Sequence, residues 1–238
     1  MKPPKAAFVI PVYNGQAFLA ESIQSCLEQT EKRIEIVVVD DGSTDGTADI
    51  LTHFQYLDER VKALRFEKNR GRSAARNMGI EAATSDVILT LDADDLCLRD
   101  RVEKTLKYFK KNPGVDLMYS DCNNVDVWGD LIIYQDQQGR QTDTVPALPF
   151  DIDRVRKTLN TYIPCHSSLA FKKSVFEKVR YEDGDVSANG IDDWFFQVKA
   201  HQAGFRFGAL NRVLVRYRYI PKTRDEEKIR RLKQEVLA

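Results

Sequence analysis

The sequence predicts a single α/β domain with a mainly parallel sheet flanked by helices. Three observations lead there. From Ala6 to Asp92 short apolar runs alternate with amphipathic stretches, the pattern of strands joined by helical crossovers. Two of the runs, Ile34-Glu35-Ile36-Val37-Val38-Val39 and Val87-Ile88-Leu89-Thr90-Leu91, read as buried strands. Both stop at acidic loops, Asp40-Asp41-Gly42-Ser43-Thr44-Asp45-Gly46 and Asp92-Ala93-Asp94-Asp95. In open α/β sheets ligands bind outside the carboxyl ends of strands, where these loops fall.

The elements follow in order. A strand is read over 6–12, an amphipathic helix over 18–29, a second strand over 34–40, a helix over 47–56 and a short third strand over 61–65. A helix over 71–83 leads into the strand at 87–91. The next helix, 99–111, is closed by Asn112-Pro113-Gly114, a strong stop signal, and a strand follows at 115–120. Residues 121–150 carry Gly129, Gly139, Pro146, Pro149 and several glutamines, and read as variable loop with one strand at 131–134. Beyond them come a strand at 167–171, helices at 173–179 and 192–203, and an aromatic hairpin over 205–219. The segment 224–238 spaces Ile229, Leu232 and Val236 as a charged helix packed on its own domain.

Composition narrows the function. The chain has 238 residues, with Lys plus Arg and Asp plus Glu both numbering 36, so no net field draws it to nucleic acid. Cys26, Cys97, Cys122 and Cys165 lie far apart, which supports neither a zinc site nor a disulfide framework and fits a reduced cytosol. His53, His166 and His201 make no metal-ligand pattern. No apolar stretch is long enough to span a bilayer, and the N-terminus lacks a signal peptide's apolar core. A small-molecule substrate is the expected partner.

The acidic loop at 92–95 points to a cation. Carboxylates this close raise one another's pKa and resist common ionisation unless a metal neutralises them, and an oxygen-only donor set suits Mg²⁺ or Mn²⁺. After the first strand Pro11 fixes the backbone, and Tyr13 offers a flat ring on which a pyrimidine could stack.

Five segments taken together, Ile10-Pro11-Val12-Tyr13-Asn14, Val39-Asp40-Asp41-Gly42-Ser43-Thr44-Asp45-Gly46-Thr47, Ala75-Arg76-Asn77-Met78-Gly79, Leu91-Asp92-Ala93-Asp94-Asp95 and Gly190-Ile191-Asp192-Asp193-Trp194, resemble the inverting family 2 glycosyltransferases of the GT-A fold. The resemblance runs nearly the full length. It implies one GT-A domain over 1–238, with a nucleotide-sugar-binding half at 1–97, an acceptor-binding half at 98–220 and a helical tail at 221–238. It implies transfer from a nucleotide-diphospho-sugar, UDP-linked by expectation, to a saccharide or lipid-linked acceptor hydroxyl, with Mn²⁺ or Mg²⁺. The setting it implies is cell-surface polysaccharide or glycolipid assembly in the cytoplasm, peripheral at the inner face of the membrane.

Residue by residue, the resemblance gives Asp41 the uracil N3–H, Asp92 the ribose or a metal-bound water, and Asp94 the metal. It places Pro11, Tyr13 and Asn14 at the nucleotide together with Arg76, for which Arg72 competes. Asp95 follows as a supporting carboxylate. Asp193 resembles the base that deprotonates the acceptor hydroxyl. Asp192, Trp194, His166 and Arg218 are candidate acceptor or diphosphate contacts.

The sequence departs from the family at two places. Asp192 stands where a glutamate is usual, and Ile220 stands where many relatives carry histidine after Tyr217-Arg218-Tyr219. The glutamine-pair, arginine and tryptophan signature of processive relatives is absent, which favours one sugar per event.

Other readings compete. A sugar-nucleotide pyrophosphorylase would need a glycine-rich basic loop at 11–16, which holds one glycine and no cation. An aspartyl phosphatase places its acidic element after the first strand, and a dinucleotide enzyme needs G-x-G-x-x-G after a strand. A sugar-nucleotide-binding module without turnover shares the fold and stays open.

Overall fold

The computed structural model describes residues 3–135, 139–159, 165–184, 190–220 and 226–237. Its first half follows the alternation in the sequence: β1 (Ala6–Val12), α1 (Leu19–Leu27), β2 (Ile34–Asp40), α2 (Thr47–Leu57), β3 (Val61–Arg65), α3 (Arg72–Ala82) and β4 (Val87–Thr90). Then come β5 (Leu96–Cys97), α4 (Arg101–Lys111), β6 (Leu117–Val125) and three two-residue strands, β7 (Tyr134–Gln135), β8 (Gln141–Thr142) and β9 (Thr144–Val145). The remaining elements are α5 (Ile152–Thr158), β10 (Ala170–Lys172), α6 (Asp192–Gln202), β11 (Phe207–Arg218) and α7 (Glu226–Leu237).

The main sheet runs β3-β2-β1-β4-β10-β6-β11-β5, with β9 on β6. Strands β3, β2, β1 and β4 are parallel, and β6 is parallel to β11. Strand β10 lies antiparallel between β4 and β6, so β4 and β6 point the same way and the acidic loops open at one end of the sheet. Every residue of β1 and β2 is buried, because helices cover both faces. One face packs Phe8, Ile10, Ile36 and Val38 against α1 and α2; the other packs Val9, Val37 and Val39 against α3.

The structure corrects the reading in the second half. The aromatic hairpin at 205–219 is one long strand, β11, in which Asn211-Arg212 is taken up as a bulge where the register with β6 shifts between Leu210 and Val213. The expected strand at 131–134 is a single bridge from Leu131 to Val125 followed by the small β7–β8 hairpin. The strand at 167–171 starts later, at Ala170, after a 3₁₀ turn over His166–Ser168, and the helix at 173–179 is a 3₁₀ turn over Lys173–Val175. Helix α5 was not read from the sequence; the Asp151 carboxylate caps it by accepting from the N–H groups of Asp153 and Arg154 at 3.0 and 3.2 Å. Helix α7 packs Leu232, Val236 and Leu237 on Trp194, Phe195 and Val198, as the spacing requires; residues 224, 225 and 238 of the expected helix lie outside the described residues. Among the described residues no helix is long and apolar enough to cross a membrane.

Candidate active site

The loops after β1, β2 and β4 meet at the carboxyl end of the sheet. Asn14, at φ 50°, adopts a left-handed conformation that asparagine tolerates. Its N–H donates to Ser43 Oγ at 2.8 Å and its Oδ1 accepts from Thr44 N–H at 2.9 Å, so the loops after β1 and β2 are clasped together. Asp40 caps its own turn through Ser43 N–H at 2.8 Å and pairs with Arg65 at 3.3 Å. Asp41 is buried, and its two oxygens accept the backbone N–H groups of Arg70 and Gly71 at 2.7 and 2.9 Å. Gly71, at φ 93°, takes a backbone shape that a side chain would resist, and this lets the chain present that N–H as α3 begins.

A cavity of about 320 Å³ opens between these loops, bounded by residues 11–15, Phe18, Arg72, Asp92, Ala93, Asp94 and Ile220. Tyr13 is 51% exposed on it rather than buried in the core. The expected Pro11, Tyr13, Asn14, Asp92 and Asp94 thus share one wall system. Ile220, where many relatives carry histidine, faces the same space. Of the two competing arginines, Arg72 bounds the cavity and Arg76 does not.

Arg76 instead sits under the site, almost wholly buried. Its guanidinium donates to Asp92 Oδ1 at 2.6 Å and to Asp192 Oδ2, and Arg72 Nε reaches the other oxygen of Asp192 at 2.7 Å. One buried carboxylate therefore holds both arginines and ties the start of α6 to the end of β4. Burial opposes charge on both partners. The Asp192 and Asp92 carboxylates overcome it and hold the Arg76 pKa above its ordinary value. Burial would likewise lift Asp92, but Arg76, helped by Arg72, keeps its carboxyl well below the usual carboxylate range.

Asp193 follows Asp192 at the start of α6. Asp193 is lifted above the ordinary carboxylate value by burial first and by neighbouring Asp192 second, with Arg72 and Arg76 opposing. One of its oxygens accepts from Trp194 N–H at 2.7 Å. Of the two adjacent carboxylates at the start of one helix, Asp192 anchors the arginines and Asp193 is the one raised above the ordinary carboxylate value.

The loop at 92–95 is braced from below. Ser167 Oγ donates to Asp95 Oδ2 and accepts from Asp92 N–H at 2.9 Å, while Arg218 N–H donates to Asp95 Oδ1 at 2.8 Å. Asp95 is fully buried and its pKa is raised, by burial and then by Asp94. The Arg218 guanidinium is buried too, donating to Asp94 O at 2.9 Å, Val127 O at 2.8 Å and Glu21 Oε2 at 2.8 Å, and lies 4.4 Å from the Phe18 ring centroid. His166 is buried with Nε2 3.0 Å from Tyr181 Oη, and burial, then Arg76, pushes its pKa well down, so it is neutral. Trp194 is buried against α7, with Lys233 Nζ 5.3 Å from its ring. Ser167, Glu21 and Phe18 were not singled out in the sequence. Ser167 lies one residue from His166 and carried no signal of its own, and Glu21 meets Arg218 only through the fold.

Asp92 and Asp94 offer oxygen donors alone, and among the described residues no group of three or more His, Cys, Asp or Glu is placed to hold a metal ion. That donor set fits a hard cation that takes one or two protein carboxylates and completes its shell with water and substrate phosphate.

The family model for Glycosyl transferase family 2 matches residues 7–180. The chain belongs to glycosyl transferase family 2. An uncharacterized glycosyltransferase of Methanocaldococcus jannaschii is 28% identical over 221 residues, 92% of this chain and 72% of that protein. The Bacillus subtilis protein TuaG, named as a putative teichuronic acid biosynthesis glycosyltransferase, is 33% identical over 129 residues, 52% of this chain and 51% of its own length. A Haemophilus influenzae glycosyltransferase is 40% identical over 112 residues, 47% of this chain and 45% of its own length. The chain thus spans about half of these last two relatives. In three dimensions, Staphylococcus aureus TarS 1–349 in complex with UDP superimposes with a TM-score of 0.72 at 19% identity, over 98% of this chain and 65% of that one. The mannosyltransferase PcManGT of Pyrobaculum calidifontis, in complex with GDP-Man and Mn²⁺, gives 0.63 at 20% identity, over 93% and 59%. The single α/β domain with a mostly parallel sheet is the fold of these glycosyltransferases.

Proposed function

We propose that this glycosyltransferase moves a sugar from a UDP-sugar to an acceptor hydroxyl, with inversion and with a divalent cation. The observation that carries the reading is one cavity bounded both by the exposed ring of Tyr13 and by Asp92 and Asp94. Base and diphosphate would then lie at its two ends. Pro11 and Asn14 shape the base end, where Asp41 reads the uracil edge. At the other end Asp92 takes the ribose and Asp94 the metal. A cation bound there supplies charge neutralisation for the departing diphosphate. Arg72 faces the same space, whereas Arg76 and Asp192 hold Asp92 in place. Asp193 removes the acceptor proton, a task suited by its raised basicity. His166, Trp194 and Arg218, all buried, act by positioning the loops around the acceptor side.

The UDP and UDP-GlcNAc complexes of TarS support a uridine donor, and the Mn²⁺ complex of PcManGT supports the metal. The TuaG likeness supports a role in polysaccharide assembly; a glycolipid is the alternative product we propose, in a cytoplasmic setting with peripheral membrane contact. Calorimetry of UDP with and without Mn²⁺ tests the reading. Wild type binds UDP tightly only with Mn²⁺, and Asp94→Ala binds weakly in both conditions; equal binding by the two proteins under both conditions refutes the metal assignment.

A further inference from the structure

A second cavity, of about 530 Å³, opens at the other end of the sheet, bounded by Asn112, Phe150, His201, Phe205, Arg206 and Phe207 with the backbone turn at 114–115. It lies where β6 and β11 begin, while the carboxyl end of β11 is the one that reaches the 92–95 loop through Arg218. Helix α6 carries Asp193 at its start and His201 in its last turn, so about 12 Å of helix separates the two at roughly 1.5 Å per residue. No residue bounds both cavities.

We propose that this second cavity is a saccharide site, separate from the reaction centre, that takes a sugar ring carrying an anionic group. The inference rests on the glycosyltransferase reading only in the choice of a saccharide. Its walls are aromatic: Phe150 stacks on Phe207 with centroids 4.4 Å apart, and His201 lies 5.1 Å from Phe150. Phe207 is also stacked on the buried Tyr119 at 6.0 Å, so both its faces are taken, and the half-buried rings form an apolar wall for the C–H groups of a pyranose. A few polar groups on an aromatic lining are the usual make-up of a small-ligand site.

The charge comes from Arg206. Its backbone is fixed, since its N–H donates to Asp116 Oδ2 at 3.0 Å and its carbonyl accepts from Asp116 and Leu117 N–H at 2.8 and 3.1 Å. The other Asp116 oxygen takes Lys172 at 3.3 Å, and the Arg206 guanidinium has no carboxylate partner among the described residues. It lies flat over Gly114, where a Cβ would come within 2.7 Å of a guanidinium nitrogen. The glycine therefore makes room for the fork beside the rings. Lys178 Nζ, 5.6 Å from the Phe205 centroid, lies close by without bounding the cavity. A guanidinium fork pairs bidentately with carboxylate or phosphate, and Asn112, whose side-chain nitrogen donates to Tyr108 O at 2.9 Å, leaves its side-chain oxygen for a ring hydroxyl.

The test uses the whole chain carrying Asp94→Asn, so that donor binding is disabled. Three probes are titrated by calorimetry: a glucuronate-containing hexasaccharide, glucose 6-phosphate, and a neutral glucose hexasaccharide. We expect an anionic probe to bind at least about tenfold more tightly than the neutral one. Arg206→Gln should remove most of that preference and Arg206→Lys should restore part of it, with unchanged melting temperatures. Which anionic probe binds distinguishes carboxylate from phosphate. Failure of both anionic probes to bind, or equal binding by Arg206→Gln, overturns the proposal. So does binding that UDP displaces competitively in the wild-type chain, since that places the probe at the donor site. None of these outcomes bears on UDP binding itself, which is read separately through Asp94.

Discussion

Arg76 is a cation with almost no contact with water, and its charge is tolerable only because Asp192 and Asp92 both face it. Removing one partner of a buried pair leaves the other uncompensated, at a cost of about 3–5 kcal/mol. Asp192→Asn should therefore lower unfolding free energy by about that much in urea titration, and a loss below about 1 kcal/mol would show that Arg76 does not depend on Asp192. The shorter Asp192, in place of the family's usual glutamate, still reaches both arginines. On the proposed reading Asp41 would have a comparable double duty. Both its oxygens already accept backbone N–H groups, so a base edge must share one of them. Asp41→Asn keeps the shape but loses one acceptor, and should erase most of the preference for UDP over CDP, about 1–3 kcal/mol by calorimetry. An unchanged preference would move uracil recognition to another residue.

At the scale of elements, α3 shows why the segment Ala75-Arg76-Asn77-Met78-Gly79 is built as it is. The helix lies so close to the sheet that a Cβ on Gly79 would come within 2.6 Å of Val9 Cγ1 and 3.2 Å of Val39 Cγ2. That closeness is what delivers Arg76 to the buried gap between β4 and α6. Gly79→Ala should cost about 1–3 kcal/mol through overpacking, read as a drop in melting temperature. A variant as stable as wild type would mean that helix and sheet part without penalty. The contrast between the halves of the chain has a physical basis. Strands β1, β2 and β3 are local and parallel, β1 and β2 largely apolar, and their bounds could be read residue for residue. Strand β11 could not, because Asn211-Arg212 looks like a turn and becomes a bulge only once β6 lies alongside. Helix α5 is seven residues with one cap and little apolar periodicity, too short to announce itself. The site divides likewise: Tyr13, Asn14, Asp92 and Asp94 follow directly from strand ends. The Arg218 bracing, which joins Glu21 to the 92–95 loop, arises only when distant segments fold together.

Across the whole molecule, the sheet brings the loops after three parallel strands to one end, and α6 enters there with its paired aspartates. The electrostatics of that meeting point set a pH dependence. Asp193 is raised by burial and by Asp192 and lowered by Arg72 and Arg76, so the ascending limb of kcat/KM should lie above the ordinary aspartate value of about 3.9. Arg72 is the partly exposed arginine of the network, and its side chain is 35% accessible, so it can be changed without burying a new polar group. Arg72→Gln removes a positive charge that favours the ionised form of Asp193. Its carboxyl should then hold a proton to higher pH, and the ascending limb should move to higher pH. Asp193→Asn should lower transfer by about 10²–10⁴-fold while UDP binding stays near wild type, because the shape survives and only the basicity is lost. The product anomer, read by proton NMR, should be opposite to the donor's, since a base on the acceptor side drives a single displacement. Retained configuration, a near-active Asp193→Asn, or an ascending limb that Arg72→Gln shifts to lower pH would each remove Asp193 from the role of base. The paired aspartates would then be an anchor for the arginines alone.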